Sequence, residues 1–313
     1  MILIRNLNQI KHQLPPIALT IGNFDGVHLA HQKIIAKTQE IAQKNQLKTA
    51  ILTFEPHPIL FLNQYNSNFN QNFRIYNLAN KIRILKQFNI DYLLVIPFNN
   101  YLSSLNHNNF VEEILINKFN TKSLIIGYDF TFGKNRQGNF KTLENYNFDL
   151  HEINPIKFNE DLTISSSQAR NFIKNGDIKN LNLLLGKNYQ IDGLVQKGNQ
   201  IGHKIGFATA NLLPKSQLIL PKFGVYQTKI FIPKMQKLFS GITNFGIKPT
   251  INQNQLQPIF ETHIFDFNFD IYGQKIVVIF EDFIRNEIKF SSLEHLKQQI
   301  HSDILQVKFL NKN

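Results

Sequence analysis

Two histidines near the start of the chain stand where a phosphate-binding site can form. His28 and His31 follow a short apolar run, Ile17–Ile21, and a turn rich in glycine, asparagine and aspartate, and a helical pattern then covers His31–Asn45. An apolar run of this length predicts a buried strand. A helix that begins directly after a strand directs unpaired backbone N–H groups, and the positive end of its dipole, at whatever lies before it. Imidazole groups there can donate hydrogen bonds to phosphate oxygens as negative charge develops on them.

The spacing alone does not establish this site, because two polar residues at a solvated helix start show the same pattern. The strand and the Gly22–Gly26 turn before the histidines favour a phosphate site. The segment His28–His31 resembles the H-x-G-H signature of nucleotidylyltransferases, enzymes that transfer a nucleoside monophosphate from ATP and release pyrophosphate. Ala30 stands where that signature has glycine, and we expect its methyl group to limit how closely a phosphate approaches the backbone.

The composition is typical of a soluble globular protein with room for two domains. The chain has 313 residues, of which 42% are hydrophobic and 18% are charged, which is enough for two separate cores. It contains no cysteine, which excludes disulfides and thiolate metal sites and fits a reducing cytoplasm. The apolar stretch before Arg5 is too short for a signal peptide, and no apolar run approaches the length of a membrane span. We therefore expect a cytoplasmic protein without a membrane partner.

The charge balance is strongly basic, with 34 Lys and Arg against 22 Asp and Glu and a formal net charge of +12. Such a charge suits nucleic acid, an anionic membrane or small anionic substrates. The basic residues are scattered singly, without the blocks or the aromatic interleaving that are typical of nucleic-acid binding. The abundance of Asn, Ile, Lys and Phe is also what an AT-rich genome produces, with no function attached. We expect small phosphorylated substrates and no nucleic acid.

The first half of the chain alternates between strands and helices. In its second predicted helix, Leu78, Ile82 and Leu85 keep one face apolar. Such alternation predicts a parallel sheet built from βαβ units, in which ligands bind at the carboxyl ends of the strands. The predicted strands are Ile17–Ile21, Thr49–Phe54, Tyr92–Ile96 and Ser123–Ile126, and the predicted helices are His31–Asn45, Asn77–Phe88 and Asn109–Phe119.

A helical bridge and a run of strands follow. The bridge consists of a helix over Ser165–Lys174, which ends before Gly176, and a second helix that Asp177 caps and Gly186 ends. Gly, Pro and Asn turns between the later strands predict an all-β barrel. Ser291 and Glu294 predict a capping box for a last helix that ends near Asp303. The predicted barrel strands are Tyr189–Val195, Gly224–Ile232, Phe239–Asn244, Ile259–Phe265 and Lys275–Phe283.

Two further segments before the barrel can bind a nucleotide. The loop Gly127–Gly138 follows a predicted strand, and its Asp129 offers an acceptor for a ribose or an amine, while Lys134 and Arg136 offer phosphate contacts. Hydroxyl groups at a helix start, with a basic side chain in the first two turns, can bind phosphate oxygens together. An ordinary basic loop and a plain Ser-rich cap are the alternatives for these two segments. The residues of the helix start are Ser165, Ser166, Ser167 and Arg170.

The barrel half carries its own candidate residues. The Gly-rich segment Gly202–Asn211, predicted as a loop, closes on Thr209 and Asn211, whose hydroxyl and amide oxygens suit a Mg²⁺ ion that carries a nucleotide. Glu261 lies within a predicted strand. An inward-facing carboxylate there can accept the proton of a substrate hydroxyl that attacks a γ-phosphate. A lone glutamate on a strand is more often simply solvated.

Taken in order, these segments resemble one family, the bacterial bifunctional riboflavin kinases/FMN adenylyltransferases, also called FAD synthetases. The resemblance covers nearly the whole chain. Its most specific motifs are Gly-Val-Tyr from Gly224, Asn-x-Gly-x-x-Pro-Thr from Asn244, and Glu-Thr-His-x-Phe-Asp-Phe from Glu261. It implies a Rossmann-like nucleotidylyltransferase domain with a parallel sheet over residues 1–185, which includes the bridge. It also implies a riboflavin-kinase-type β-barrel with a terminal helix over residues 186–313.

The resemblance implies two reactions, both of which need Mg²⁺. The barrel phosphorylates riboflavin with ATP to give FMN and ADP, and the N-terminal domain transfers AMP from a second ATP to FMN, giving FAD and pyrophosphate. Carried over to this sequence, His28 and His31 stabilise the ATP phosphates and Glu261 is the base of the kinase. The implied ATP and phosphate site of the first domain comprises Gly22, Phe24, Asp25, Gly26, Asp129, Ser165, Ser166, Ser167 and Arg170. The implied flavin and ATP site of the barrel comprises Gly202, Gly206, Phe207, Thr209, Asn211, Gly224, Tyr226, Asn244 and Arg285, with Thr209 and Asn211 as metal ligands.

The chain departs from the family pattern in three places, one of them a pair of residues. Ala30 replaces the glycine between the histidines, and Ala208 replaces a proline, which frees the backbone before Thr209. The pair Gln168-Ala169 stands where the family has a basic or variable residue followed by Ile or Val. None of these changes removes a charged or proton-transferring group, so we expect reduced rates sooner than a lost reaction.

Two alternative functions stay open at this point. One is an adenylyltransferase with a single activity and a degenerate kinase barrel, against which the presence of Thr209, Asn211 and Glu261 argues. The other is a sensor that binds FMN without catalysis, in which His28 or Glu261 would be replaced. The expected assembly is a monomer or a weak homo-oligomer.

Overall fold

Two compact units make up the chain, Met1–Gln168 and Ala169–Asn313. The computed structural model describes residues 1–197, 207–249 and 256–310. The unit boundary falls within a helix, earlier than the domain boundary predicted after residue 185.

A six-stranded parallel sheet forms the centre of the first unit. Its strand order is β1-β4-β3-β2-β5-β6, and every neighbouring pair is parallel. All five residues of β2 are buried, which explains why all of them except Thr20 are apolar. The strands are β1 (Ile2–Ile4), β2 (Ile17–Ile21), β3 (Lys48–Glu55), β4 (Tyr92–Pro97), β5 (Thr121–Gly127) and β6 (Asp149–Ile153).

The direction of the chain through this sheet reverses at β2. From β2 the chain adds β3 and β4 on one side, and then returns to add β5 and β6 on the other. In open parallel sheets, ligands bind outside the carboxyl ends of the strands at such a switch point. The turn after β2 and the loop after β5 both lie there, as the sequence predicts.

The helices of the first unit confirm the predicted alternation. In α1, Ile41 and Ala42 pack against Ala18 of β2 and Ile125 of β5. The segment predicted as one helix over Asn109–Phe119 begins earlier and is mostly π-helical. The α-helices are α1 (Leu29–Lys44), α2 (Pro58–Leu62), α3 (Leu78–Leu85), α4 (Asn100–Ser104), α5 (His107–Asn109, continued by the π-helix Phe110–Lys118) and α6 (Phe140–Leu143). Short 3₁₀ turns cover Leu7–Gln9, Lys86–Phe88 and Lys134–Arg136.

The second unit is built on a six-stranded antiparallel sheet of strand order β7-β12-β9-β10-β11-β8. An antiparallel bridge between Gln196 and Asn211 brings the two edges of this sheet together, so the sheet curls into the predicted barrel. Aromatic rings fill its interior, with Phe245 and Phe260 stacked at 4.2 Å between ring centroids. The strands are β7 (Gln190–Leu194), β8 (Thr209–Leu212), β9 (Gly224–Ile232), β10 (Lys237–Pro249), β11 (Leu256–Ile264) and β12 (Lys275–Arg285).

Three helices belong to the bridge and the C-terminal end: α7 (Ser166–Asn175), α8 (Ile178–Leu185) and α9 (Leu293–Leu310). The Asp177 side chain accepts a hydrogen bond from the Asn180 N–H and caps α8, as predicted. The predicted cap of the last helix was wrong by one residue. Ser292 caps α9 by accepting the His295 N–H, and the helix continues past Asp303 to Leu310. An apolar stripe that includes Ile304 and Val307 packs on the barrel, which explains the greater length.

Candidate active sites

The turn between β2 and α1 has an unusual backbone. Phe24, Gly26 and Val27 have φ values of 48°, 87° and 46°, in the left-handed region that a β-branched residue rarely adopts. Glycine meets this requirement at position 26 without steric cost. Both Phe24 and Val27 are buried, so packing holds their backbone in this conformation. Residues held in such conformations concentrate at functional sites.

His28 ends the turn and is the N-cap of α1. Its Nδ1 accepts the His31 N–H at 3.4 Å, and its Nε2 lies 3.3 Å from the Ser166 hydroxyl oxygen. Because Nδ1 accepts, the proton of the neutral ring is assigned to Nε2, which donates to Ser166. Ser166 in turn donates to the Asp25 carbonyl oxygen at 2.8 Å. Hydrogen bonds therefore fix both the orientation and the tautomer of this imidazole.

The two predicted catalytic histidines lie directly together. The rings of His28 and His31 stack with 3.6 Å between centroids and 16° between planes, and the Phe24 ring contacts His31 at 5.0 Å. Ser166, predicted from a different segment, joins the same cluster. These three side chains form a compact group of hydrogen-bonding atoms at the carboxyl end of the central strand.

Of the other residues predicted for the first site, some are exposed to solvent and others are engaged in the fold. Ser165 caps α7 by accepting the Gln168 N–H at 3.2 Å, while Ser167 is exposed. Asp129 is exposed after the carboxyl end of β5, where a nucleotide can reach it. The Asp25 carboxylate is buried and accepts the Ile75 N–H at 2.9 Å, so it anchors a neighbouring segment. Arg170 lies in the second unit, further along α7.

A buried group of charges behind the turn was missed by the sequence analysis. The Arg74 guanidinium makes two hydrogen bonds to the Glu55 carboxylate, at 2.7 and 2.8 Å. Lys81, only 3% exposed, donates to the Asn23 carbonyl oxygen at 3.1 Å and to the Thr53 hydroxyl at 2.9 Å. The signal for Lys81 was present in the sequence. It lies three residues after Leu78 and four before Leu85, on the stripe that was assigned to apolar packing.

One acidic and two amide side chains lie side by side on three neighbouring strands of the barrel. Glu261 on β11 is the register partner of Asn211 on β8 and of Asn244 on β10. Register partners project from the same face of a sheet, so Asn211, Glu261 and Asn244 form one polar row. Thr209 lies two residues before Asn211 on β8 and is the register partner of His263, which lies two residues after Glu261 on β11. Residues two apart on a strand share a face, so Thr209 lies on the same face as the polar row. The prediction of a loop at Thr209–Asn211 was wrong, because these residues lie in β8.

One atom of this row has no hydrogen-bond partner among the residues that the structure describes. Asn211 is 4% exposed, and its Oδ1 makes no hydrogen bond to the residues that the structure describes. A buried carbonyl oxygen without a donor is costly unless a ligand or an ion completes it. His263 lies beside the row, where burial lowers the pKa of its imidazole, and its Nδ1 donates to the Ala208 carbonyl oxygen at 2.9 Å. The amide oxygen of Asn211 and the hydroxyl oxygen of Thr209 are hard ligands, which fit Mg²⁺.

Three residues with predicted ligand roles have partners or close neighbours within the protein. The Tyr226 side chain is fully buried, and its hydroxyl donates to the Lys222 carbonyl oxygen, while burial raises its pKa. Gly224 has a φ of 151°, and a Cβ there would lie 2.4 Å from the Arg285 carbonyl oxygen. The Arg285 guanidinium donates to both Asp303 carboxylate oxygens at 2.7 to 3.2 Å, which holds α9 on the barrel. The geometry therefore gives these residues a role in the fold.

The remaining predicted barrel residues are only partly described. Phe207 packs edge-on against His263, with 5.4 Å between ring centroids. Gly202 and Gly206 lie outside the described residues.

Models of two protein families match this chain. The FAD synthetase model matches residues 10–191, and the riboflavin kinase model matches residues 185–310. A curated bifunctional riboflavin kinase/FMN adenylyltransferase from Buchnera aphidicola subsp. Schizaphis graminum is 40% identical over 98% of this chain and 97% of its own length. This chain belongs to the bifunctional riboflavin kinase/FMN adenylyltransferase family. Its resemblance to this family, inferred above from the motifs, is thereby confirmed.

More distant members of the family and one solved structure agree over the same length. The relative from Haemophilus influenzae is 39% identical over 98% of both chains, and that from Escherichia coli K12 is 33% identical over 97% of this chain and 95% of its own. The crystal structure of a macrolide-efflux protein from Streptococcus pneumoniae superposes with a TM-score of 0.87 at 29% identity, and covers 98% of this chain and 99% of that one. That structure shares both units of the fold. No helix in the described part of the chain is long and apolar enough to cross a membrane.

The departure at Ala30 gives a testable prediction. Ala30 lies in the first turn of α1 and is half-buried, so we expect Ala30→Gly to cost up to about 1 kcal/mol of stability. Adenylyl transfer should stay unchanged or rise, because glycine allows a phosphate closer to the backbone. Urea unfolding and the initial rate of FAD formation measure the two effects.

The exposed Ala36 on the same helix supplies the control. Ala36→Gly should lower stability in the same way and leave the rate alone. If Ala30→Gly slows adenylyl transfer at unchanged stability, the site has adapted to the methyl group and the expectation is wrong.

Proposed function

We propose that this chain makes FAD from riboflavin in two ATP-dependent steps, the first in the barrel and the second at the parallel sheet. The observation that carries this proposal is the full-length match to bifunctional relatives, with one family model on each half of the chain. Each half also contains a polar cluster suited to one of the two reactions. The chain is thus an enzyme with riboflavin kinase and FMN adenylyltransferase activity.

Adenylyl transfer is assigned to the histidine turn. A phosphate oxygen of FMN attacks the α-phosphorus of ATP, the bond to the β-phosphate breaks, and pyrophosphate leaves. Negative charge grows on the phosphate oxygens during this step, and fixed donors stabilise it best. His31 and the N–H groups at the start of α1 would supply such donors, and His28 would do so when its Nε2–H turns from the Ser166 hydroxyl to a phosphate oxygen. Ser166 holds the His28 ring in position, and Asp129 would contact the nucleotide.

Riboflavin phosphorylation is assigned to the polar row on the barrel. The terminal ribityl hydroxyl oxygen attacks the γ-phosphorus of ATP, its proton passes to the Glu261 carboxylate, and ADP leaves. Asn211 and Thr209 would hold Mg²⁺, which fits the buried Asn211 oxygen, to which no residue of the described part of the chain donates. When bound, the ion neutralises charge on the transferring phosphoryl group. Asn244, on the other side of Glu261 in the row, would help to orient the substrate hydroxyl.

The metal assignment predicts a selective change in Mg²⁺ dependence. We expect Asn211→Ala to raise the Mg²⁺ concentration for half-maximal FMN formation about tenfold or more, the loss typical even for an outer-sphere partner of a metal. Calorimetry should show a matching loss of Mg²⁺-dependent ADP binding. The Mg²⁺ dependence of FAD formation from added FMN is the internal control and should not move. An unchanged Mg²⁺ requirement for both reactions would exclude Asn211 as a ligand.

One incubation tests the proposed function against its alternatives. The protein is mixed with riboflavin, ATP and Mg²⁺, and flavins are separated over time. We expect riboflavin to fall, FMN to rise first, and FAD to follow. FAD formed from added FMN but not from riboflavin would instead indicate a degenerate kinase barrel. Flavin binding without any conversion would indicate a sensor.

The proposal extends to partners and location. Its substrates are small molecules, and a net charge of +12 would favour the approach of ATP and FMN without any nucleic-acid partner. We propose a cytoplasmic enzyme, since the absence of cysteine suits a reducing compartment. We propose that it works as a monomer or a weak homo-oligomer.

A further inference from the structure

A lysine lies buried directly behind the histidine turn. Lys81 on α3 donates hydrogen bonds to the Asn23 carbonyl oxygen and to the Thr53 hydroxyl, and Thr53 itself donates to Asn23 at 3.2 Å. The ammonium group and the hydroxyl thus both donate to one backbone carbonyl. That carbonyl belongs to the peptide that leads into Phe24, the first left-handed residue of the turn.

The Asn23 carbonyl controls where the next N–H points. The Asn23–Phe24 peptide is trans, since the cis bond of the described residues is Glu55–Pro56. In a trans peptide the C=O and the N–H point in opposite directions. An ammonium group that holds the Asn23 oxygen therefore directs the Phe24 N–H away from Lys81.

Using a buried lysine to bind a single carbonyl oxygen is energetically unfavourable. Burial of an ammonium group costs free energy, and a neutral donor could make the same bond. The charges that act on Lys81 are those of Arg74 from the segment before α3, Asp25 from the turn and Glu55 from the end of β3. The Arg74 charge opposes that of Lys81, while Asp25 and Glu55 favour it. Burial outweighs these carboxylates and lowers the pKa of Lys81 to about 8, so the ammonium group is still mostly charged at pH 7, beneath the backbone assigned to the ATP phosphates.

We propose that Lys81 is a positioning residue for adenylyl transfer, whose ammonium group orients the Phe24 N–H and adds positive potential beneath the phosphate site. This inference rests on the proposed adenylyltransferase function. It assigns no contact between Lys81 and the substrate, and it concerns only the first unit.

The charge of Lys81 makes the proposal visible in a pH profile. Burial, with a smaller contribution from Arg74, lowers the pKa of Lys81 from 10.5 to about 8. The unfolded chain keeps this proton up to its ordinary pKa, so between about pH 8 and 10.5 the unfolded state binds more protons. Loss of the proton therefore raises the stability of the fold in this window. A fall of adenylyl transfer over the same window cannot come from unfolding through this group.

The experiment follows kcat for FAD formation from FMN between pH 6.5 and 9.5 in the full chain. We expect the wild type to lose activity above about pH 8, a range in which imidazoles, with an ordinary pKa of about 6.5, no longer titrate. Lys81→Met should lower kcat at pH 7 about tenfold or more, since small misplacements cost this much, and should lack the alkaline fall. The KM for FMN and the rate of riboflavin phosphorylation should change only a few-fold.

Thr53→Val gives a second and independent variant. It removes one hydrogen-bond acceptor of the charged lysine, which lowers the pKa further, so the alkaline fall should move to lower pH. A purely structural role of Thr53 would not move it. This variant and the wild-type profile decide the matter if Lys81→Met does not fold.

Lys86→Met is the matched control, because Lys86 is exposed just after the same helix. It should keep the rate and the pH profile of the wild type. The inference is overturned if the wild type shows no alkaline fall, if Lys81→Met keeps that fall, or if both lysine variants behave alike. A wild type that makes no FAD at pH 7 would overturn the proposed function instead.

Discussion

Replacing His28 by asparagine should reduce FAD formation from FMN about 100-fold or more, the loss typical of removing one transition-state donor. Asparagine is the informative substitution because His28 has two roles. Its Nδ1 caps α1 by accepting the His31 N–H, and alanine would remove this cap at a cost of about 1 kcal/mol. Asparagine is a good N-cap residue and keeps the helix start. The Nε2 donor and the stack on the His31 ring are lost.

The measurement is the single-turnover rate of FAD formation, together with the thermal unfolding midpoint. FMN formation from riboflavin should persist, since the kinase is assigned to the other unit. His12, exposed in the same unit, provides the matched control, and His12→Asn should behave as the wild type. Normal FAD synthesis by His28→Asn would mean that the imidazole has no part in the reaction.

The sequence predicts strands and helix ends best where the local residue pattern and the tertiary structure favour the same conformation. The strand Ile17–Ile21 was predicted to the residue because β2 is buried on both faces, and a fully buried strand is largely apolar, here at every position but Thr20. The Asp177 cap and the Gly186 stop were equally local, since each acts within one helical turn. Both signals depend on nearest neighbours in the chain.

Contacts between distant segments account for what the sequence did not reveal. β8 is only four residues long and contains Thr209 and Asn211, so it has no apolar run and exists because β11 pairs with it. The polar character of Lys81 and Arg74 says nothing of their burial, which depends on partners 19 to 58 residues away. Resemblance gave Arg285 a ligand role, whereas the ion pair with Asp303 shows what its guanidinium does in the fold.

In the candidate sites too, the sequence identified the separate segments, and only the structure showed how they come together. His28, His31 and Ser166 come from two segments far apart in sequence, and the structure joins them by hydrogen bonds and ring stacking. Each segment was recognised by a strand end or a helix start, places where backbone groups are unpaired. The row of Asn211, Glu261 and Asn244 depended on strand register, which the hydrophobic pattern of single strands does not fix when both faces carry polar residues.

Glu261→Gln should lower FMN formation about 100-fold or more, in the range typical of losing a general base. Glutamine keeps the size of the side chain and its place between Asn211 and Asn244, but it cannot take the proton of the ribityl hydroxyl. Phosphoryl transfer depends mostly on positioning and charge stabilisation, so some activity should remain. Riboflavin binding should stay within a few-fold of wild type, because the substitution leaves the shape of the row intact. The measurement is riboflavin consumption in a single turnover, beside binding by flavin fluorescence.

A second glutamate in the barrel separates loss of the base from loss of a charge. Glu281 on β12 is largely buried and pairs with Lys229 at 2.6 Å, and it lies outside the polar row. Glu281→Gln should cost some stability and leave the rate of phosphorylation unchanged. Glu261→Gln should lower the rate of phosphorylation and leave the stability unchanged. FAD formation from added FMN should be normal in both variants. If Glu261→Gln binds and phosphorylates riboflavin like the wild type, the proton must leave by another route and Glu261 is not the base.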